Sequence, residues 1–336
     1  MGRFPVAKPR VIITDFINDD LAIEKSIVGD IADVIALDVE GEANLLGRIE
    51  DADCVMMYHF VTLRQPTIER LRNCKLIVRC GVGIDNVDWA FARTRGIPVC
   101  NVPDYGTEDV ADSAIGMLLS LSRGINLLNS RLRRGQGVWS YTQAVPCHRV
   151  RGRTLGIVGL GRIGTAMCRR AQALGMDVVF HDPYLADGWE RAHGIRRAET
   201  LDELLPQAQV LSLHCPLTPE TTRLIGANQI ARMPRGSLLI NTARGAVLDT
   251  SAVPPAIRSG HLVGAGIDVL PTEPPPADDP LVAAWRDVND PCHDRVILNP
   301  HAAFYSEEGL IDIRHKASRA CRRALLGQEL RNVVNP

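Results

Sequence analysis

The sequence has almost no excess charge. Its 38 Lys and Arg stand against 39 Asp and Glu, a formal net of -1 with a pI near 6.8. No global field draws such a chain to nucleic acid or to an anionic membrane, and neither is expected as a partner. No apolar run approaches the roughly 18 residues of a membrane span, and the opening "MGRFPVAKPR" lacks the apolar core of a secretory signal; the expectation is a cytoplasmic protein. Nor is there a CxxC pair. The nine cysteines (Cys54, Cys74, Cys80, Cys100, Cys147, Cys168, Cys215, Cys292 and Cys321) are odd in number and widely spaced. That spacing argues against a metal or redox site and for reduced, mostly buried thiols, so no metal is expected. Low-complexity sequence is confined to "PTEPPPADDP", residues 271 to 280, whose prolines predict an extended, non-helical loop. What is present is length, 336 residues, and 46% hydrophobic content. These allow a substantial core and suggest two domains, hence a cleft for a small partner.

Short β-rich runs alternate with longer polar or amphipathic stretches from Arg10 to Pro103: "RVIITDF", "ADVIALD", "ADCVMMY", "KLIVRC" and "IPVCNVP". A second series comprises "TLGIVGLG", "DVVFHDPY", "AQVLSLHCP", "GSLLINTARG", "LVGAGIDV" and "DRVILNPH". The rhythm predicts βαβ units and two parallel-sheet α/β layers. Between them, residues 107 to 135 read as helix, with Thr107 as N-cap and acidic residues in the first turn. The stretch "EEGLIDIRHKASRACRRALLGQEL" has helical period and follows the second series with no new strand.

One glycine pattern carries cofactor chemistry. Gly159, Gly161 and Gly164 form GxGxxG directly after an apolar strand and directly before a helix. The three supply a tight turn, room for a pyrophosphate against bare backbone, and close helix-on-strand packing. The intervening Leu160, Arg162 and Ile163 share that turn, whose amides and helix dipole face the phosphates. The next strand ends at Asp182, followed by Pro183, where an acid that binds a ribose belongs; Asp182 would repel a 2'-phosphate, so NAD is favoured over NADP. A second pattern, "LLINTARGAVLD", sets Arg244 against Gly245 at the mouth of a strand. A guanidinium stays charged there, and an anion should meet it.

Six further segments can be compared: "VRCGVGIDNVD", "NVPDYGTEDVADS", "HCPLTPETTRLI", "NTARGAVLD", "GIDVLPTEP" and "NPHAAFYSEEG". In this order and spacing the chain resembles the D-isomer-specific 2-hydroxyacid dehydrogenases. Within them "RTLGIVGLGRIG", "HDPYLADGWERAHGI" and "HAAFYSEEG" are most similar to the C-terminal binding protein branch. The resemblance implies two Rossmann-like/flavodoxin-like domains with a cleft between them. A discontinuous substrate domain would be formed by residues 1 to 104 and 303 to 336, and an NAD-binding domain by 105 to 302. It also implies a homodimer joined largely through the segment after Thr107.

By the same resemblance, Arg244 holds the carboxylate and polarises the ketone of a small 2-oxo acid, His301 is the acid/base, and Glu273 is its carboxylate partner. A carboxylate beside an imidazole favours the protonated ring, which suits that division of labour. The substrate is then the anion that Arg244 awaits. Asp268 is implied as acceptor for the nicotinamide carboxamide, with Cys215, Pro216, Thr221, Thr242, Ala243 and Ala303 near the coenzyme. Arg244 and His301 count toward that site as well. Val82 and Gly83, in a turn that begins at Gly81, are positioned to grip a carboxylate by their amides. Tyr58, His59 and Phe304 join them as candidate substrate contacts. Arg79 matches an arginine that some members place in the cleft, and two arginines facing one substrate would suit a second acidic group: carboxylate, phosphate or phosphonate. Phe304 departs from the corepressor branch, which has tryptophan there. Two other readings stay open: a phosphite- or formate-type dehydrogenase, and an NAD(H)-sensing, corepressor-like binding protein. Glu273 counts against the formate branch.

Overall fold

The computed structural model describes residues 8–336; the start of the stretch read for a targeting signal, residues 1–7, lies outside them. The chain divides into two compact units. One runs up to Gly106 and resumes with Ser306–Pro336; the other is the contiguous stretch Thr107–Tyr305. Ala303 and Phe304 therefore sit in the contiguous unit, although the expected boundary put residues from 303 onward in the other. Among the described residues no helix is long and apolar enough to cross a membrane.

The first unit is built on β1 (Arg10–Ile13), β2 (Asp33–Ala36), β3 (Cys54–Met57), β4 (Leu76–Arg79) and β5 (Val99–Asn101), all parallel in the order β2-β1-β3-β4-β5. Its inner strands are apolar on both faces, as a sheet covered on both sides requires. Val11, Ile13, Met56 and Val78 pack on one side, and Ile12, Val55, Met57 and Ile77 on the other. This is the flavodoxin-like order, which reverses between β1 and β3, and such sheets bind ligands beyond the carboxyl ends of the strands at that point. The helix Glu307–Leu325 belongs to this unit. Its Arg314 is bonded to both oxygens of buried Glu24 and to Asp19, at 2.6–2.9 Å, which anchors it to the helix Ala22–Val28.

The second unit holds β6 (Thr154–Val158), β7 (Asp177–His181), β8 (Arg196–Arg197), β9 (Val210–Leu213), β10 (Ser237–Asn241), β11 (Leu262–Ile267) and β12 (Val296–Leu298). They are parallel in the order β12-β11-β10-β9-β6-β7-β8, with the reversal between β6 and β9. The expected long helix is two helices, Thr107–Ser122 and Ile125–Arg133. The break falls at Gly124, whose φ of 65° lies in the left-handed region. An alanine there would also press its Cβ to 2.8 Å from that of Ala144. Thr107 is the first helical residue rather than the cap. The proline-rich loop ends where Asp279 caps the helix Pro280–Arg286, its carboxylate accepting from the amides of Leu281 and Val282 at 3.0 Å.

All nine cysteines are free; Cys147 is exposed, Cys74 half-buried and the other seven buried. Burial pushes the Cys215 thiol up to about 11, so it is a neutral wall atom rather than a nucleophile.

Candidate active site

The second unit carries its chemistry along the carboxyl edge of three adjacent strands. At the end of β10, Asn241 is fully buried and shapes the turn: its Oδ1 accepts from the Ala243 amide and its Nδ2 donates to the Arg244 carbonyl, both at 3.0 Å. Arg244 is thereby fixed at the strand mouth, with Nη1 donating to the Ala243 carbonyl at 2.8 Å. Gly245 follows because nothing larger fits. A Cβ there would lie 1.9 Å from the carbonyl carbon of Leu270 and 2.3 Å from Pro271 N. The arginine turn thus rests on the loop that carries Glu273.

That loop leaves β11 and bends back so that the Leu270 amide donates to Glu273 Oε1 at 2.8 Å, while Glu273 Oε2 meets His301 Nδ1 at 2.7 Å. Burial pushes the Glu273 carboxyl up. The bond and charge of His301, the Leu270 amide and the charge of Arg244 outweigh burial and leave it below its ordinary value. It is an anion at neutral pH, shared between backbone and imidazole.

His301 stands three residues beyond β12 in the left-handed region, φ 53°, a conformation that persists only where the surroundings over-determine it. Here Asp268 does so. Its carbonyl accepts from the His301 amide at 2.8 Å, and its Oδ1 accepts from Ala302 and Ala303 at 2.9 and 3.0 Å. The sequence does not reveal this job of Asp268, since nothing in "GIDV" announces which backbone the carboxylate will bind. Phe304 lies edge-on to the His301 ring, centroids 6.1 Å apart.

The glycine turn fits a dinucleotide. A Cβ on Gly159 would lie 2.8 Å from the Cys215 backbone, and one on Gly164 2.2 Å from the Gly159 carbonyl oxygen; one on Gly161 would meet nothing within 4 Å. The first and last glycines are thus demanded by packing, and the middle one leaves bare backbone open at the N-terminus of the helix Arg162–Ala173. Asp182 accepts from the Leu160 amide at 2.9 Å and from Tyr184 N at 3.1 Å, which holds a carboxylate beside the turn. Thr242 Oγ1 is buried with no hydrogen-bond partner, a polar atom suited to a bound ligand. Thr221, in contrast, uses its hydroxyl within its own loop, donating to the Pro216 carbonyl at 2.7 Å and accepting from Thr218 N at 2.7 Å.

His214, at the end of β9, bonds Ser212 through Nε2 at 2.8 Å and has no partner at Nδ1. Burial lowers its pKa to about 4. Below its usual value near 6.5 the unfolded chain takes up a proton that the fold refuses, so stability is full above that pH and falls with acid down to about 4. Urea unfolding should show a loss from this ring on the order of 2 kcal/mol between pH 6.5 and 5. His214→Gln should flatten that part of the profile; an unchanged acid slope in the variant would refute the assignment.

In the first unit the candidates gather beyond β3 and β4. Arg79 is 7% exposed rather than an outward strand charge. Its Nη1 donates to the Cys80 carbonyl at 2.9 Å and its Nε to Asn86 Oδ1 at 3.3 Å. The guanidinium lies across Gly81, where a Cβ would fall 1.3 Å from Nη1. The turn is pinned from its other side by Asn101 Nδ2 on the Val82 carbonyl at 2.8 Å and Val102 N on the Gly81 carbonyl at 3.1 Å. Val82 is exposed and Gly83 half-buried. Tyr58, named among the expected substrate contacts, is 2% exposed with its ring packed in the core and its hydroxyl buried without a hydrogen-bond partner. Its neighbour His59 is half-buried, its ring 5.1 Å from that of Phe16.

Residues 115–303, more than half of the chain, match the family described as D-isomer specific 2-hydroxyacid dehydrogenase, NAD binding domain. The chain belongs to this family of 2-hydroxyacid dehydrogenases. It is 32% identical to the D-3-phosphoglycerate dehydrogenase of Methanocaldococcus jannaschii over 97% of this chain and 59% of that protein. It is also 32% identical to C-terminal-binding protein 1 of Caenorhabditis elegans over 98% of this chain and 45% of that one. The chain therefore spans little more than half of the first dehydrogenase and less than half of the second protein. Among solved structures, the D-lactate dehydrogenase of Aquifex aeolicus complexed with NAD and lactic acid superposes with a TM-score of 0.82 at 26% identity, covering 97% of this chain and 99% of that one. The matched segment is an NAD binding domain, so the coenzyme is NAD, and the glycine turn and Asp182 lie within that segment.

Proposed function

We propose that the chain is an NAD(H)-dependent D-2-hydroxyacid dehydrogenase that interconverts a small 2-oxo acid and its D-2-hydroxy acid. The Glu273–His301 bond, on the same strand edge as Arg244, carries this reading. NADH, when bound, supplies the hydride. Arg244 holds the substrate carboxylate and draws electron density toward the ketone oxygen. His301, with Nδ1–H held by Glu273, gives the proton from Nε2 to the oxygen as negative charge develops there; in the reverse direction it takes that proton back. Gly159, Gly161, Gly164 and Asp182 would hold the coenzyme. The amides of Val82 and Gly83 are proposed to bind the substrate carboxylate, and Arg79 to favour an acid with a second carboxylate, phosphate or phosphonate. The relationship to D-3-phosphoglycerate dehydrogenase supports that preference.

NADH oxidation followed at 340 nm against pyruvate, hydroxypyruvate, glyoxylate, branched oxo acids, oxaloacetate and phosphonopyruvate tests both parts. Turnover is expected with at least one of them and fastest, at low concentration, with the dianions. The C. elegans relative favours a second reading, an NAD(H)-sensing binding protein. Tight NADH binding without turnover of any acid would replace the enzyme by that sensor.

A further inference from the structure

We infer that Asn86 is a positioning residue that fixes the plane of the Arg79 guanidinium and ties it to the Tyr58–Val61 segment, and so sets selectivity for a doubly acidic 2-oxo acid. The inference rests on the proposed role of Arg79. Asn86 follows β4 in the turn after Gly83, and both donors and the oxygen of its carboxamide are engaged. Nδ2 donates to the carbonyls of Tyr58 at 2.8 Å and Val61 at 2.9 Å, and Oδ1 accepts from Arg79 Nε. Two donors and an acceptor on one short planar group are what asparagine offers; aspartate lacks the donors, and serine has too few.

The segment that Asn86 grips is held equally from its other side. Buried Asp15, just beyond β1, accepts from the Tyr58 amide at 2.8 Å and the Phe60 amide at 2.7 Å. The amides of this tip are therefore on a carboxylate and its carbonyls on a carboxamide, at the β1/β3 reversal where a sheet of this order binds ligands. Phe16, held at a φ of 72°, places its ring 5.2, 5.1 and 5.9 Å from those of Tyr58, His59 and Phe60. Bonds at Nε and Nη1 fix two points of a rigid guanidinium, and hence the edge it can present to a carboxylate or phosphonate. Asn86 joins that edge to the aromatic tip, so neither is set alone.

A double-mutant cycle on KM for oxaloacetate relative to pyruvate tests this. Arg79→Ala should raise the ratio about ten- to a hundredfold, and Asn86→Ala about three- to tenfold, seen in KM for oxaloacetate rather than in kcat. The double variant should match Arg79→Ala alone, because Asn86 acts through Arg79. If Asn86→Ala is too unstable to assay, Asn86→Ser, which keeps one donor and an acceptor, takes its place with a smaller shift in the same direction. A ratio unmoved by Arg79→Ala would remove the reading of Arg79 and this inference with it. A ratio moved by Arg79→Ala but not at position 86, or an Asn86 effect that persists undiminished without Arg79, would overturn the positioning role alone.

Discussion

His301→Asn should lower kcat by about a thousandfold, within the 10²–10⁴ that a positioned general acid contributes, and leave NADH binding nearly unchanged. Asparagine is the informative substitute. It is among the residues that best tolerate left-handed backbone, so the φ of 53° is not the cause of any loss. Its side-chain amide can still donate to Glu273, and the loop has no reason to collapse. What it lacks is a titratable nitrogen for the substrate oxygen. Steady-state turnover, with NADH affinity from fluorescence titration as the control, separates the two. A decrease smaller than tenfold would remove His301 as the proton donor.

Gly245→Ala should be nearly as damaging although it touches no reacting atom. The new methyl would overlap the Leu270 carbonyl, at 1.9 Å from its carbon and 2.2 Å from its oxygen, and backbone cannot yield as a flexible side chain can. The Leu270–Glu273 loop must shift by something like an ångström. Because the Leu270 amide holds one oxygen of Glu273 and His301 the other, the shift draws the carboxylate off the imidazole. Misplacement on this scale costs about a hundredfold, and the overpacking should remove about 1–3 kcal/mol of stability. A kcat within fivefold of the parent, with the melting temperature unchanged, would show that the contact is not needed.

The sheets were legible because both are parallel and covered on both faces, which makes their strands short continuous apolar runs with turn residues between. β8 escaped that rule: it is two arginines at an edge, with no apolar signal to find. The break at Gly124 was hidden because a lone glycine within a helical pattern is tolerated, and its left-handed backbone shows only in three dimensions. GxGxxG with Asp182 could be read from spacing, since two of the glycines answer local steric demands and the third leaves backbone bare for a phosphate. Arg244, Glu273 and His301 could not be joined by spacing, and only the family resemblance connected them. The work of Asn86, Asp15 and Gly245 left no trace in the sequence, because it consists mainly of contacts made across turns and with segments distant along the chain. Tyr58 shows the converse: a polar-tipped aromatic at a strand end looks available in sequence, yet here it is enclosed.

The anchoring of the helix Glu307–Leu325 on the helix Ala22–Val28 sets an order of birth. The five-stranded sheet is fully synthesised once Asn101 has been made, but Glu24 waits without its guanidinium partner, and the Val11–Met56 face without its cover, until the entire Thr107–Tyr305 unit has been translated. Sealing in a charged carboxylate before its counterion arrives is costly. Of the two units, the one begun earlier is therefore the one completed later.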